Sequence, residues 1–93
     1  MDVSVRDNPA DHRYELIVDG AQAGLAAYRV RDGLTVITHS EVDPAHQGQG
    51  LGGQLVRLTL DHLRSTGARV VPACPFFAKY VSEHHEYDDI IEE

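Results

Sequence analysis

Cysteine is almost missing from this chain: Cys74 is the only one among 93 residues. An internal disulfide framework is thereby excluded, and the natural reading is a chain of the reducing cytoplasm. No run approaches the roughly 18–20 consecutive apolar residues of a membrane span. The opening residues, Met1-Asp2-Val3-Ser4-Val5-Arg6, lack the basic-then-apolar pattern of a secretory signal. Basic residues are few, eight Lys and Arg against fifteen Asp and Glu, for a formal net charge of −7. That balance argues against nucleic acid as a partner, because phosphate backbones are held chiefly by Lys and Arg. Repeats, low-complexity tracts and Pro/Ser-rich linkers are absent too, and the length suits one domain, residues 1–93.

The charge that is present is unevenly spread. Glu83, Glu86, Asp88, Asp89, Glu92 and Glu93 fall in the last eleven residues, which hold no Lys or Arg. The preceding body is almost neutral. A solvated acidic tail is the plain expectation, and steering of a cationic partner is the functional one.

β-rich segments dominate the first half. Val3-Ser4-Val5 reads as a short strand, and Asp7-Asn8-Pro9-Ala10-Asp11 as a turn. Strands are expected over residues 14–18, 23–31 and 34–42, separated by Asp19-Gly20 and Asp32-Gly33, both hairpin signals. The pattern changes after Asp43-Pro44-Ala45-His46. Leu51, Leu55, Leu58 and His62 recur at helical spacing, and Gly67 is a good stop. Residues 68–72 then read as a buried strand parallel to 34–42. Pro75 opens a second helix running to about His85, which places Cys74 at its N-cap.

Gln47-Gly48-Gln49-Gly50-Leu51-Gly52-Gly53 sits between the best strand and the best helix. Glycines there let a ligand approach the backbone, and the helix N-terminus supplies partial positive charge. The physics asks for an anion, a phosphate or pyrophosphate. A P-loop would need Gly-Lys-Ser/Thr, which is absent. Gly48-x-Gly50-x-x-Gly53 matches a dinucleotide fingerprint literally, but the acid expected ~20 positions on is missing from Arg69-Val70-Val71-Pro72-Ala73.

Gln47-x-x-Gly50-x-Gly52 resembles the acyl-CoA pyrophosphate loop of the GNAT acyltransferase superfamily, Gln/Arg-x-x-Gly-x-Gly/Ala. His39-x-Glu41-Val42 before it, and Pro72-x-Cys74-Pro75-Phe76 with His84-x-Glu86-Tyr87 after it, are similar to a compact GNAT-like family. The resemblance implies a mixed α+β fold: a truncated GNAT-like body with an antiparallel meander, a β-α-β unit and a C-terminal helix. It implies that the backbone of Gly48, Gln49, Gly50, Leu51, Gly52 and Gly53 holds the CoA pyrophosphate. Gln47 would shape the loop, and Val42 would pair with the pantetheine amides. The donor would be acetyl-CoA, with no metal.

Acyl transfer needs a proton acceptor for the attacking amine and an acid for the departing thiolate. Cys74 at a helix N-terminus would have a lowered pKa. It suits covalent capture of the acyl group or protonation of the leaving sulfur, and a small buried core residue is the alternative. His39 and Glu41 lie two apart on one strand face, opposite Val36, Thr38 and Ser40, and are candidate bases. Tyr80 and Tyr87 read as packing residues, and His46 as a solvated loop histidine. His84-His85-Glu86 points its side chains apart, which spoils metal chelation. The expected function is acetyl-CoA-dependent N-acyl transfer to a small-molecule or peptide amine; the alternative is an acyl-CoA-binding module without catalysis. Neither nucleic acid nor membrane is an expected partner, and the chain should be a monomer or weak homodimer.

Overall fold

The computed structural model describes residues 1–92. Four strands run in a meander: β1 (Val3–Asn8), β2 (Arg13–Val18), β3 (Ala21–Arg31) and β4 (Leu34–Val42). Both Asp-Gly pairs make two-residue turns with positive φ at each residue, 49° and 86° at Asp19-Gly20 and 53° and 78° at Asp32-Gly33. This is the backbone hand that matches strand twist, and it explains why the hairpin signals were strong. Helix α1 (Leu51–Ser65), strand β5 (Arg69–Pro72) and helix α2 (Pro75–Glu83) follow. The sheet order is β1-β2-β3-β4-β5, antiparallel except for the parallel β4–β5 pair.

β1 runs to Asn8, beyond the expected turn start. Asp7 and Asn8 are turn formers, but Arg6 and Asn8 both bind Glu15 on β2, and Tyr28 donates to Asp7 Oδ1 at 2.6 Å. Cross-strand contacts override local preference here.

α1 covers one side of the sheet. Its buried residues Leu51, Leu55, Val56, Leu60 and Leu63 pack with Leu16, Ala26, Ile37, Val70 and Phe77. Gly67, with φ +76°, ends it, and Ala68 N–H reaches back to Leu63 C=O.

Two features of β4 shape the site. Its register against β3 shifts at Thr38, since Ala27 pairs with His39 and Tyr28 with Ile37. This bulge breaks strict alternation. Ile37 is fully buried, and Ser40 reaches the core-facing Cys74, while His39 and Glu41 face solvent. Ile37 and Ser40 thus point the same way although their spacing is odd. The second feature is the parting of β4 from β5. Pairing ends at Ile37–Pro72, and Cys74 N–H still bonds Ile37 C=O at 2.8 Å, but among the described residues no strand pairs with residues 38–42 on that side.

The acidic tail is not a solvated appendage. α2 ends at Glu83 rather than His85, and residues His85–Ile90 form a 3-10 turn that buries Tyr87 and Ile90. Ile91 forms a parallel bridge to Val70, and Glu92 N–H bonds Val70 C=O at 2.8 Å. Arg64 binds Asp89, Arg69 binds Glu92, and Tyr87 Oη donates to Asp61 at 2.8 Å. The tail therefore closes the core beside β5, and cations of the body neutralise part of its charge. Glu93 lies outside the described residues.

Candidate functional site

The site is built from the open end of β4 and the start of α1. Gly50, the N-cap of α1, has φ +72°, and Gly48 has φ +81°. Left-handed backbone costs other residues roughly 1–2 kcal/mol, so the loop path itself selects glycine. A Cβ placed at either position would meet no protein atom within 4 Å, so this part of the loop borders open space. No side chain caps α1. Its first N–H groups are left for a ligand or solvent, and the helix dipole favours an anion there. Gln47 Nε2 donates to Val42 C=O at 2.9 Å and ties the loop to the end of β4.

A cleft of about 420 Å³ opens between these elements. Ser40, Glu41 and Val42 line it from β4, and His46, Gln47, Gly48 and Gly50 from the loop. Leu51, Gly52, Gly53 and Leu55 line it from α1, and Phe76 from α2. Of the loop residues expected at a phosphate site, all but Gln49 line the cleft. His46 is half-buried rather than solvated, and its Nδ1 is buried without a hydrogen-bond partner. Such an orphan is uncommon and is satisfied by a ligand oxygen or water. The open loop backbone, the uncapped helix and this unpaired nitrogen fit a phosphate-bearing ligand.

β4 offers more than side chains. Asp43 N–H bonds Ala23 C=O at 2.7 Å, so the alternation of the ladder turns the N–H and C=O of Val42 and Ser40 away from β3. Those groups face the region that β5 has already left. Gln47 occupies the Val42 carbonyl and the Ser40 N–H is turned to the Cys74 thiol, leaving the Val42 N–H and the Ser40 C=O along this edge.

Cys74 stands at the N-cap of α2 and is 4% exposed. Its Sγ lies 3.3 Å from Ser40 Oγ. Burial pushes the thiol pKa up, but hydrogen bonds from the Ser40 hydroxyl and from backbone N–H groups of Phe77, Phe76 and Ser40 outweigh it, and the net shift is downward. His39 Nε2 and Glu41 Oε2 are 3.0 Å apart on the solvent side of β4, with side chains 62% and 61% exposed. His39 and Cys74 are therefore on opposite sides of the strand. A second groove, about 490 Å³, adjoins Glu41 and Val42 and is lined by Gln22, Gly24, Leu25, Asp43 and Pro44.

Tyr80 and Tyr87 do not line either cavity. Tyr80 stacks on His84 at 3.8 Å, and burial raises the pKa of both tyrosines. Among the described residues no three His, Cys, Asp or Glu side chains come together as metal ligands. Ser40, His46, Leu55 and Phe76 are the cleft residues that sequence reasoning did not place in the site. Phe76 had a signal, its place two residues after Cys74. Ser40 had none, because the Thr38 bulge that aims it is not written in the residue pattern.

The family model for the GCN5-related N-acetyltransferases matches residues 13–90. The chain belongs to this family. The match begins at β2 and takes in every residue of the cleft and of the Ser40–Cys74 contact. The GCN5-related fold is seen as well in a solution NMR structure of a GCN5-like protein from Staphylococcus aureus. The TM-score is 0.70 at 19% identity, over 96% of this chain and 87% of that one. That likeness shows the shared mixed α+β architecture, the truncated GNAT-like body expected from the sequence. No curated protein sequence matches the chain. No helix among the described residues is long and apolar enough to cross a membrane.

Proposed function

We propose that this GCN5-related chain moves an acetyl group from acetyl-CoA to a primary amine. One observation carries the reading: a single cleft joins the uncapped N-terminus of α1 to Ser40, whose hydroxyl touches Cys74. The pyrophosphate suits the loop, where N–H groups and the helix dipole converge. The pantetheine amides suit the open edge of β4, as an added strand would. The thioester then lies beside Ser40.

The chemistry divides between two faces of β4. The acceptor amine approaches from the solvent side, past the groove bordered by Glu41 and Asp43, which attract a cation. His39, paired with Glu41, takes the amine proton as the new C–N bond forms. Cys74 gives its proton to the departing CoA sulfur, and the proton on His39 returns through solvent to the Cys74 thiolate. The products are the acylated amine and CoA thiol.

The test is CoA-thiol release with acetyl-CoA and a panel of amines, with the product read by mass. Release should require both substrates, and Cys74→Ala should slow it by about 10²-fold or more, the usual scale for a lost acid or base. An acetyl group retained on Cys74 without any amine would reassign the thiol as a nucleophile. A second reading, an acyl-CoA-binding module without turnover, draws on the low exposure of Cys74 and its separation from His39. It predicts acetyl-CoA binding with no release for any amine.

A further inference from the structure

We propose that Phe76 sets the length of the acyl group this chain accepts; the inference rests on the acetyl-CoA reading above. Among the described residues three large apolar side chains are well exposed: Met1, Val30 and Phe76. Of the three, Phe76, 48% exposed, is the one that lines the cleft. A ring left half in water inside a cleft gains stabilisation when a ligand covers it.

The ring has a built seat. A Cβ at Gly52 would fall 2.8 Å from Phe76 Cζ and 3.2 Å from Cε2. Gly52 is already within α1, and its φ is not in the left-handed region, so the backbone path does not demand glycine there. What the missing side chain provides is room for the ring against the helix. The seat fixes Phe76 on the α1 side of the cleft, while Ser40 stands on the β4 side. Phe76 is two residues from Cys74, and Ser40 Oγ touches Cys74 Sγ. The acyl group attached to the donor sulfur therefore meets the ring. A two-carbon acyl chain passes beside it. A longer chain has to displace it, and the ring cannot retreat toward α1, because the Gly52 backbone already backs it.

The experiment is calorimetric titration of the full chain with CoA, acetyl-CoA, butanoyl-CoA and octanoyl-CoA. The wild type should bind acetyl-CoA at least about tenfold tighter than octanoyl-CoA, a preference in the range that pocket shape supplies. Phe76→Ala should remove most of that preference, read within each protein as the ratio of octanoyl-CoA to acetyl-CoA affinity. Gly52→Ala pushes the ring into the cleft and should weaken acetyl-CoA binding, and adding Phe76→Ala should restore it. Phe76 is surface-exposed, so its truncation should leave folding intact, and circular dichroism checks this. Phe76→Trp provides a second arm, weakening butanoyl-CoA more than acetyl-CoA. A wild-type series flat with chain length, or one that Phe76→Ala leaves as steep as before, overturns the inference while the acetyl-CoA reading stands. If the wild type binds no CoA species, both readings fall together.

Discussion

Single residues in this molecule carry separable effects. Thr59 lies in the middle of α1, is fully buried, and its Oγ1 has no hydrogen-bond partner. A buried unpaired hydroxyl costs about 1–3 kcal/mol, and valine has nearly its shape. Thr59→Val should therefore stabilise the fold by about 1 kcal/mol in urea denaturation; a loss of stability would show that the hydroxyl is satisfied. Glu15 is the opposite case. It is only 3% exposed, yet what covers it is a surface layer of hydrogen-bonding side chains. Asn8, Arg6 and Arg13 donate to its two oxygens at 2.7–3.0 Å and hold its pKa at about 2, against 4.5 unperturbed. Between those values the unfolded chain binds the proton that the folded chain refuses. The contribution is thus complete above about pH 4.5 and is lost as pH falls toward 2. The stability gap between wild type and Glu15→Gln should shrink over that window. A gap that stays constant with pH would mean that Glu15 does not titrate as the contacts require.

At the scale of elements, the loop and the tail differ in how far the sequence discloses them. The loop was legible because its logic is local. Gly48 and Gly50 occupy backbone angles that only glycine adopts cheaply, and the helix after them is strongly amphipathic. Gly50→Val adds left-handed strain of about 1–2 kcal/mol or more and places a branched side chain where the phosphate would approach. It should abolish the thermal shift given by acetyl-CoA. Gly53→Ala is the control, because its Cβ meets Tyr80 Cε2 at an ordinary 3.8 Å, and it should retain the shift. A full shift in Gly50→Val would remove the loop from the donor site. The tail was not legible, because its logic is long-range. A run of carboxylates reads as solvated until Arg64 and Arg69, more than twenty residues upstream, are found to receive Asp89 and Glu92. Tyr87 and Ile90 then fill the core beside them. Tyr87→Phe, which deletes the bond to Asp61, should cost about 1 kcal/mol in chemical denaturation. No measurable cost would mean that the tail is held by burial alone.

For the whole molecule, the order of elements followed from punctuation that acts locally: two Asp-Gly turns, one glycine loop, Gly67 and Pro75. What the pattern could not give is direction within β4. A one-residue bulge at Thr38 puts Ser40 with Cys74 and leaves His39 with Glu41 on the solvent side. The net charge also changes meaning. Pairing in the tail leaves Glu41 and Asp43 as carboxylates at the groove that, on the proposed reading, would meet a cationic acceptor, while backbone N–H groups would receive the donor's phosphates. A chain of 93 residues has a small unfolding entropy, so ligand binding should register strongly in its melting temperature. Ligand at a hundred times its Kd adds about 2.7 kcal/mol to the folded state. For a domain this size, 1 kcal/mol moves the Tm by about 4–8 °C, so saturating acetyl-CoA should raise it by roughly 10–20 °C. NAD and ATP lack the pantetheine arm that would lie along β4, and they should raise it far less. Equal shifts for ATP and acetyl-CoA would mean that the loop binds phosphate without reading the rest of the donor. No shift for any CoA species would remove acyl-CoA from the cleft altogether.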